Sequence, residues 1–232
     1  MKSYYVGVDF GQSRDYTAIA VVERVEKTGA WDPVGYAWRK LVGLELRYLE
    51  RIALGTPYPE VVERVAQVTR SGELDGRCHL AVDGTGVGRP VVDLLRRARP
   101  NCVLLPAIIT SGEQETRDGG YHRIPKRDLI VQLQLLLQCE ALRIAAGLEH
   151  ASTLVEEMRE MRVKVTPAGN EQYGVWREGK HDDLVFAVAL ACWAARKVHP
   201  NPPVGEAGWW RNEHHREAEN ALRAFTTKAQ RH

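Results

Sequence analysis

The chain opens with short apolar runs separated by polar turns, a pattern of strands rather than of long helices. Tyr4-Tyr5-Val6-Gly7-Val8 predicts a central strand over roughly 4–10, and Thr17-Ala18-Ile19-Ala20-Val21-Val22 predicts a second. The polar stretch from Gly11 to Asp15 suits a hairpin between them. Tyr36, Trp38, Leu41, Leu44, Leu46 and Leu49 place a third strand within 34–52. Pro57 and Pro59 then open a helix. Its apolar positions Val61, Val62, Val65, Ala66 and Val68 recur at helical spacing until Gly72. A strand at 78–83, a helix from Pro90 to about Arg99 and a buried strand at 103–109 follow.

After a polar loop, helices are predicted over 126–140 and 150–161. A second hairpin pairs 163–166 with 172–176 around Pro167-Ala168-Gly169-Asn170, and a last helix at 181–197 is apolar on most faces and so buried. Hairpin-linked strands followed by alternating helix and strand describe an α/β mixed sheet, antiparallel at first, with helices on both faces. Beyond His199 the composition turns to proline and charge. Residues 1–199 therefore read as one domain, and 200–232 as a flexible or partner-docking tail with a short helical pattern at 213–225.

Composition narrows the function classes. With 232 residues and 44% hydrophobic content there is material for one sizeable core. A net charge of +2 with 27% charged residues means that any polyanion contact comes from local patches. No apolar run reaches a membrane span and the N-terminus carries no signal-peptide pattern, so a cytoplasmic protein with no membrane partner is expected. Cys78, Cys102, Cys139 and Cys192 lack metal-ligand spacing and read as buried thiols of a reducing compartment.

Candidate chemistry sits at the ends of the apolar runs. Asp9 closes the first strand, Asp83 closes the run His79-Leu80-Ala81-Val82, and Asp182-Asp183 opens the last helix. Each has a plain structural explanation: a turn residue at Asp83, a helix cap at Asp182 and Asp183. Aspartate is disfavoured in a central strand, so Asp9 is the hardest to explain that way. Three acids from distant parts of the chain would repel one another if they shared a pocket, unless hard divalent cations joined them. Two Mg2+ or Mn2+ ions about 4 Å apart in such a pocket point to phosphodiester chemistry. Asp15, in the loop after Asp9, is within reach of the same pocket. Basic Arg123, Lys126 and Arg127 lie in one segment, and Lys180 and His181 flank the acidic pair, all placed to grip a phosphate backbone. Lys126 starts a helix, an unfavourable place for a cation unless an anion is near.

Two glycine patterns lead nowhere. Gly84-Thr85-Gly86-Val87-Gly88 has Arg89 at the next fingerprint position and no acid at the required distance. Gly174 to Lys180 has Walker A spacing, but His181 stands where Ser or Thr would bind Mg2+.

Val8-Asp9-Phe10-Gly11, with Asp15 and Thr17-Ala18, resembles the first-strand motif of the C-terminal nuclease domain of bacteriophage large terminase subunits. Ala81 to Pro90 is similar to that family's second acidic motif. Ile124-Pro125-Lys126-Arg127-Asp128-Leu129 resembles its lysine-bearing helix start, and His181-Asp182-Asp183-Leu184-Val185 its last acidic motif. The resemblance runs in order over 4–197. It implies an RNase H-like fold and metal-dependent cleavage of double-stranded DNA during genome packaging in the host cytoplasm. Asp9, Asp83 and Asp182 would bind metal, Asp183 and Asp15 would support them, and the 163–176 hairpin would sit beside the site. Large terminases also carry an N-terminal ATPase motor. None is present in this sequence: either this is an isolated domain or the nuclease is encoded separately, and the resemblance then implies a separate packaging ATPase, the small terminase or the portal as protein partners. The rival readings are a junction resolvase or another nuclease of this fold, an actin-like nucleotide-binding module, and a noncatalytic DNA-binding packaging subunit.

Overall fold

The computed structural model describes residues 2–11, 15–85, 88–145, 147–165, 171–174 and 181–199. The tail, Lys180, the turn of the second hairpin and residues 12–14 lie outside these. The first three strands are β1 (Ser3–Asp9), β2 (Thr17–Asp32) and β3 (Ala37–Ile52). Helix α1 (Tyr58–Thr69), β4 (Cys78–Asp83), α2 (Gly88–Ala98) and β5 (Val103–Thr110) come next. Then come β6 (Thr116–Asp118), β7 (Tyr121–Pro125), α3 (Lys126–Gln138) and β8 (Leu142–Ile144). The described chain ends with α4 (Ala151–Glu160), β9 (Arg162–Val165), β10 (Glu171–Gly174) and α5 (Asp183–Val198).

Eight strands form one sheet in the order β6-β7-β5-β4-β1-β2-β3-β8, and β9 and β10 pair separately. β1, β2 and β3 are mutually antiparallel neighbours, whereas β4 is parallel to β1, β5 to β4 and β7 to β5. The hairpins were legible because their strands are joined by short polar turns. β6–β7 corrects the expected polar loop. Asp118 and Tyr121 pair across Gly119 and Gly120, whose φ values of 56° and 83° suit a two-residue turn. Its outer strand is exposed throughout, so no apolar alternation announced it. β8, three residues long, was also missed.

Each face of the sheet buries its own core. Tyr4, Val6 and Val8 of β1 point to the face where Val61, Val65, Val91 and Leu95 of α1 and α2 pack. Tyr5 and Gly7 point to the other face, under α5 with α3 and α4 beside it. Helix α5 is buried almost throughout, from Asp183 to Ala195. Its small residues let it lie directly on β1. A methyl group added at Gly7 would stand 1.9 Å from the Ala187 carbonyl oxygen and 2.6 Å from the Ala191 nitrogen. Glycine at position 7 therefore fixes how closely the helix can approach the strand. The last part of β2 and the first part of β3 run beyond β1 as a two-stranded arm, where Trp31 and Trp38 meet edge to face at 5.5 Å.

The cysteine expectation needs correcting. Cys78 and Cys192 are buried, but Cys102 is only partly so and Cys139 is exposed just past the end of α3. No described helix is long and apolar enough to cross a membrane.

Candidate active site

The site forms where the carboxyl ends of parallel strands meet the start of α5, the usual place for ligands in such sheets. β1 and β4 are in register from Tyr4 opposite Cys78 to Val8 opposite Val82, which sets Asp9 beside Asp83. Alternation from Tyr5 and Gly7 puts Asp9 on the α5 face, and alternation from Ala81 puts Asp83 there too. Helix α5 runs antiparallel to β1. Its Ala187 lies on Gly7, and His199 at its other end meets Tyr5 ring to ring at 6.3 Å. Asp182 and Asp183 are therefore delivered to the Asp9 end. Helix α3 starts where β7 stops, bringing Lys126 to the same edge.

The electrostatics record this convergence. Asp9 is pushed well above the usual carboxylate range, first by burial and then by the charges of Asp83, Asp182 and Asp183, with Lys126 pulling back. Asp83 is raised by burial against hydrogen bonds that favour its charged form. The Thr85 amide donates to its carboxylate at 2.8 Å, and the Thr85 hydroxyl donates to the same oxygen while accepting from the Ile109 amide at 2.7 Å. Asp182 is the N-cap residue of α5 but makes no capping hydrogen bond through its side chain. Its carboxylate instead lies 3.6 Å from the Lys126 ammonium, which also sits 4.3 Å above the Phe186 ring.

Capping falls to a residue that sequence reasoning missed. The buried Glu157 carboxylate of α4 accepts from the Leu184 and Val185 amides at 3.0 and 3.2 Å. Its other oxygen pairs with Arg51 from the end of β3. Arg51 also grips Asp183 with two bonds, 2.9 and 3.2 Å long. Burial pushes Asp183 upward and Arg51 holds it down. The guanidinium lies 4.7 Å over the Tyr16 ring, whose other neighbour is the His181 imidazole at 4.9 Å. The one signal for Glu157 in the sequence is its spacing, which tells only once the burial of α4 is known. Glu157 stands three residues after Leu154 and four before Met161, on the buried stripe of α4.

The remaining sequence candidates spread outward. Asp15 is exposed, 3.9 Å from His181 Nδ1. Arg123 is exposed on β7, and Arg127 is exposed and pairs with Asp128 at 3.5 Å. Lys180 lies outside the described residues. Among the described residues, no three or more His, Cys, Asp and Glu side chains are already gathered as a metal-binding set. The chemistry of the donors nevertheless fits a hard divalent ion. Asp9, Asp83 and Asp182 offer oxygen only, the other two repel the charge of Asp9, and Lys126 stands beside Asp182.

Antiparallel β1, β2 and β3 followed by parallel β4, β5 and β7, with helices on both faces, make an RNase H-like fold. No protein-family model matches the chain, and no curated protein sequence does. Among solved structures, the large terminase nuclease from thermophilic phage G20c matches with a TM-score of 0.53 at 21% identity, over 82% of this chain and 81% of that one. The same nuclease with bound magnesium gives 0.54 at 24%, over 83% and 81%. The fold of this chain is thus that of a large terminase nuclease domain.

Proposed function

We propose that this protein is a metal-dependent endonuclease that cleaves double-stranded DNA in viral genome packaging, with a pair of Mg2+ or Mn2+ ions as its cofactor. The observation that carries the reading is the meeting of Asp9, Asp83 and Asp182 beside Lys126 at the carboxyl edge of a terminase-like sheet. Asp9, which feels the charge of both other acids, would hold the ions together with Asp83 and Asp182. When bound, the ions supply Lewis acidity and a water activated for attack on a phosphodiester.

The chain's own groups do the rest. Thr85 fixes the orientation of Asp83 through its paired hydrogen bonds. Glu157 and Arg51 hold the start of α5, so that Asp182 keeps its place while Asp183 supports it as the anchored member of the pair. Lys126 balances one carboxylate charge and stands ready for a backbone phosphate. Arg123, Arg127 and His181 stand outside the acidic cluster, where phosphate contacts would give affinity with little sequence preference, and Lys180, next to His181 in sequence, would join them; Asp15 would support the ions. A motor ATPase, the small terminase and the portal are the protein partners this role implies, in the host cytoplasm.

The test is nicking of supercoiled plasmid in Mg2+, Mn2+ or EDTA. The wild type should cut with either metal and not in EDTA, and Asp83→Ala should not cut. A linear duplex offered beside a four-way junction separates the packaging role from a resolvase. Cleavage that persists in EDTA, or in Asp83→Ala, would sink the proposal.

A further inference from the structure

A second surface, remote from the acidic edge, is open and apolar. A groove of about 380 Å³ runs between α3 and the C-terminal half of α5. Val131, Leu135 and Leu136 form one wall, Cys192 and Ala195 the other, and Leu44 the floor. Leu135 is 53% exposed and Val131 39%, unusual for helix positions beside a buried core. His199, the last described residue, lines the same groove. Its amide bonds to the Ala195 carbonyl at 2.9 Å and its ring meets Tyr5, so the point where the chain leaves α5 is fixed at the groove.

The sequence beyond His199 suits such a surface. Trp209 and Trp210 stand side by side, and Ala218, Ala221, Leu222 and Phe225 recur at helical spacing among charged residues. Nine residues lie between His199 and Trp209, ten steps of chain with a reach of at most about 35 Å. Helix α3, with 13 residues, is about 20 Å long, so the linker can set the tryptophans anywhere along it. A tethered segment competes at an effective concentration in the millimolar range. A second copy or a partner at micromolar concentration is at a disadvantage for the same surface.

We infer that the α3–α5 groove is the seat of this chain's own C-terminal segment, with Trp209 and Trp210 as its apolar anchors. The groove is then closed in the same molecule, and the tail is held to the nuclease domain away from the acidic edge. This does not depend on the catalytic reading.

Cys139 provides the readout, because it is exposed and lines the groove, while Cys78 and Cys192 are buried. The alkylation rate of Cys139 by N-ethylmaleimide, followed by peptide mass mapping, is compared in three full-length proteins. Trp209→Ala/Trp210→Ala should react at least about tenfold faster than the wild type, as expected when a local closed state is lost. Leu135→Ser, made on the groove side at an exposed position, should speed the same thiol to a similar degree with an unchanged melting temperature. Equal rates in all three proteins would overturn the inference. So would protection of Cys139 that disappears on hundredfold dilution, because the occupant would then be a second copy.

Discussion

On the β3–α4 side of the α5 N-terminus, Asp183 and Glu157 share one guanidinium, and Glu157 spends its second oxygen on two helix amides. On the β1–β4 side, Asp83 and Asp182 bear on Asp9 and, among the described residues, Lys126 is the ammonium close by. The two sides are one residue apart in sequence and carry similar acid. The first is closed: a planar, two-pronged arginine and two helix amides between them engage all four carboxylate oxygens. The second is left short of positive charge. On the proposed function, a pocket that is internally unfavourable until a cation enters suits a metal enzyme, and the closed side would keep the open side in shape.

The sharpest way to break that comparison is to neutralise one acid on each side. Asp9→Asn should lower plasmid nicking by roughly a thousandfold if, as proposed, it removes a metal ligand. It should also stabilise the metal-free protein by about 1 kcal/mol or more, because a buried, repelled charge disappears. At this chain length that is a melting-temperature rise of about 2–4 °C. Arg51→Met should act in the opposite sense. It strands two buried carboxylates and should cost about 3–5 kcal/mol. Adding Asp183→Asn to Arg51→Met should recover part of that loss, read by urea denaturation. If Asp9→Asn destabilised the fold as Arg51→Met does, the two sides would not differ in the way described.

The open side was legible in the sequence and the closed side was not. Asp9 and Asp83 interrupt apolar strands, where a carboxylate is out of place, and Lys126 is a cation at a helix start. Each is anomalous within its own ten residues. Arg51 and Glu157 are anomalous only in three dimensions. They lie 106 residues apart, and Arg51 is 132 residues from Asp183. Arg51 ends a strand of mixed charge, and Glu157 looks like one of several helix acids until burial of its stripe is known. The succession of the longer strands and helices along the chain was readable for the same local reason. The β6–β7 hairpin and β8 were not, because short edge strands carry too few residues to show a period.

Metal and pH sharpen the contrast further. Asp9 and Asp83 have folded pKa values raised above the ordinary carboxylate range. In the metal-free protein the folded state therefore holds more protons than the unfolded chain. The stability this gives is fully present below the unfolded pKa and is lost as pH rises through the raised one. Bound metal reverses the slope, because it needs the carboxylates ionised. Mn2+ at about 100 times its Kd should add about 2.7 kcal/mol near pH 7.5. That gain should shrink toward zero near pH 5, as protons compete for the same oxygens. Thermal melts with and without Mn2+ at the two values check both signs. A metal increment independent of pH would place the ion away from these acids.

The smallest expected effect concerns how the open side is kept in order. Thr85 is its only described equivalent of Arg51: a neutral group whose hydroxyl and amide both point at Asp83, with the Ile109 amide pinning the hydroxyl from β5. Thr85→Val keeps the shape and the backbone bond but removes the hydroxyl. The loss of folding stability should be about 1 kcal/mol, the net value of an exposed hydrogen-bond pair. The larger signature should lie in the metal titration, because a carboxylate free to turn must be ordered when the ion binds. The Mn2+ concentration for half-maximal nicking should rise several-fold with the maximal rate little changed, and Thr85→Ser should restore it. A fall in maximal rate with an unmoved midpoint would mean that Thr85 acts on the substrate rather than on the orientation of Asp83.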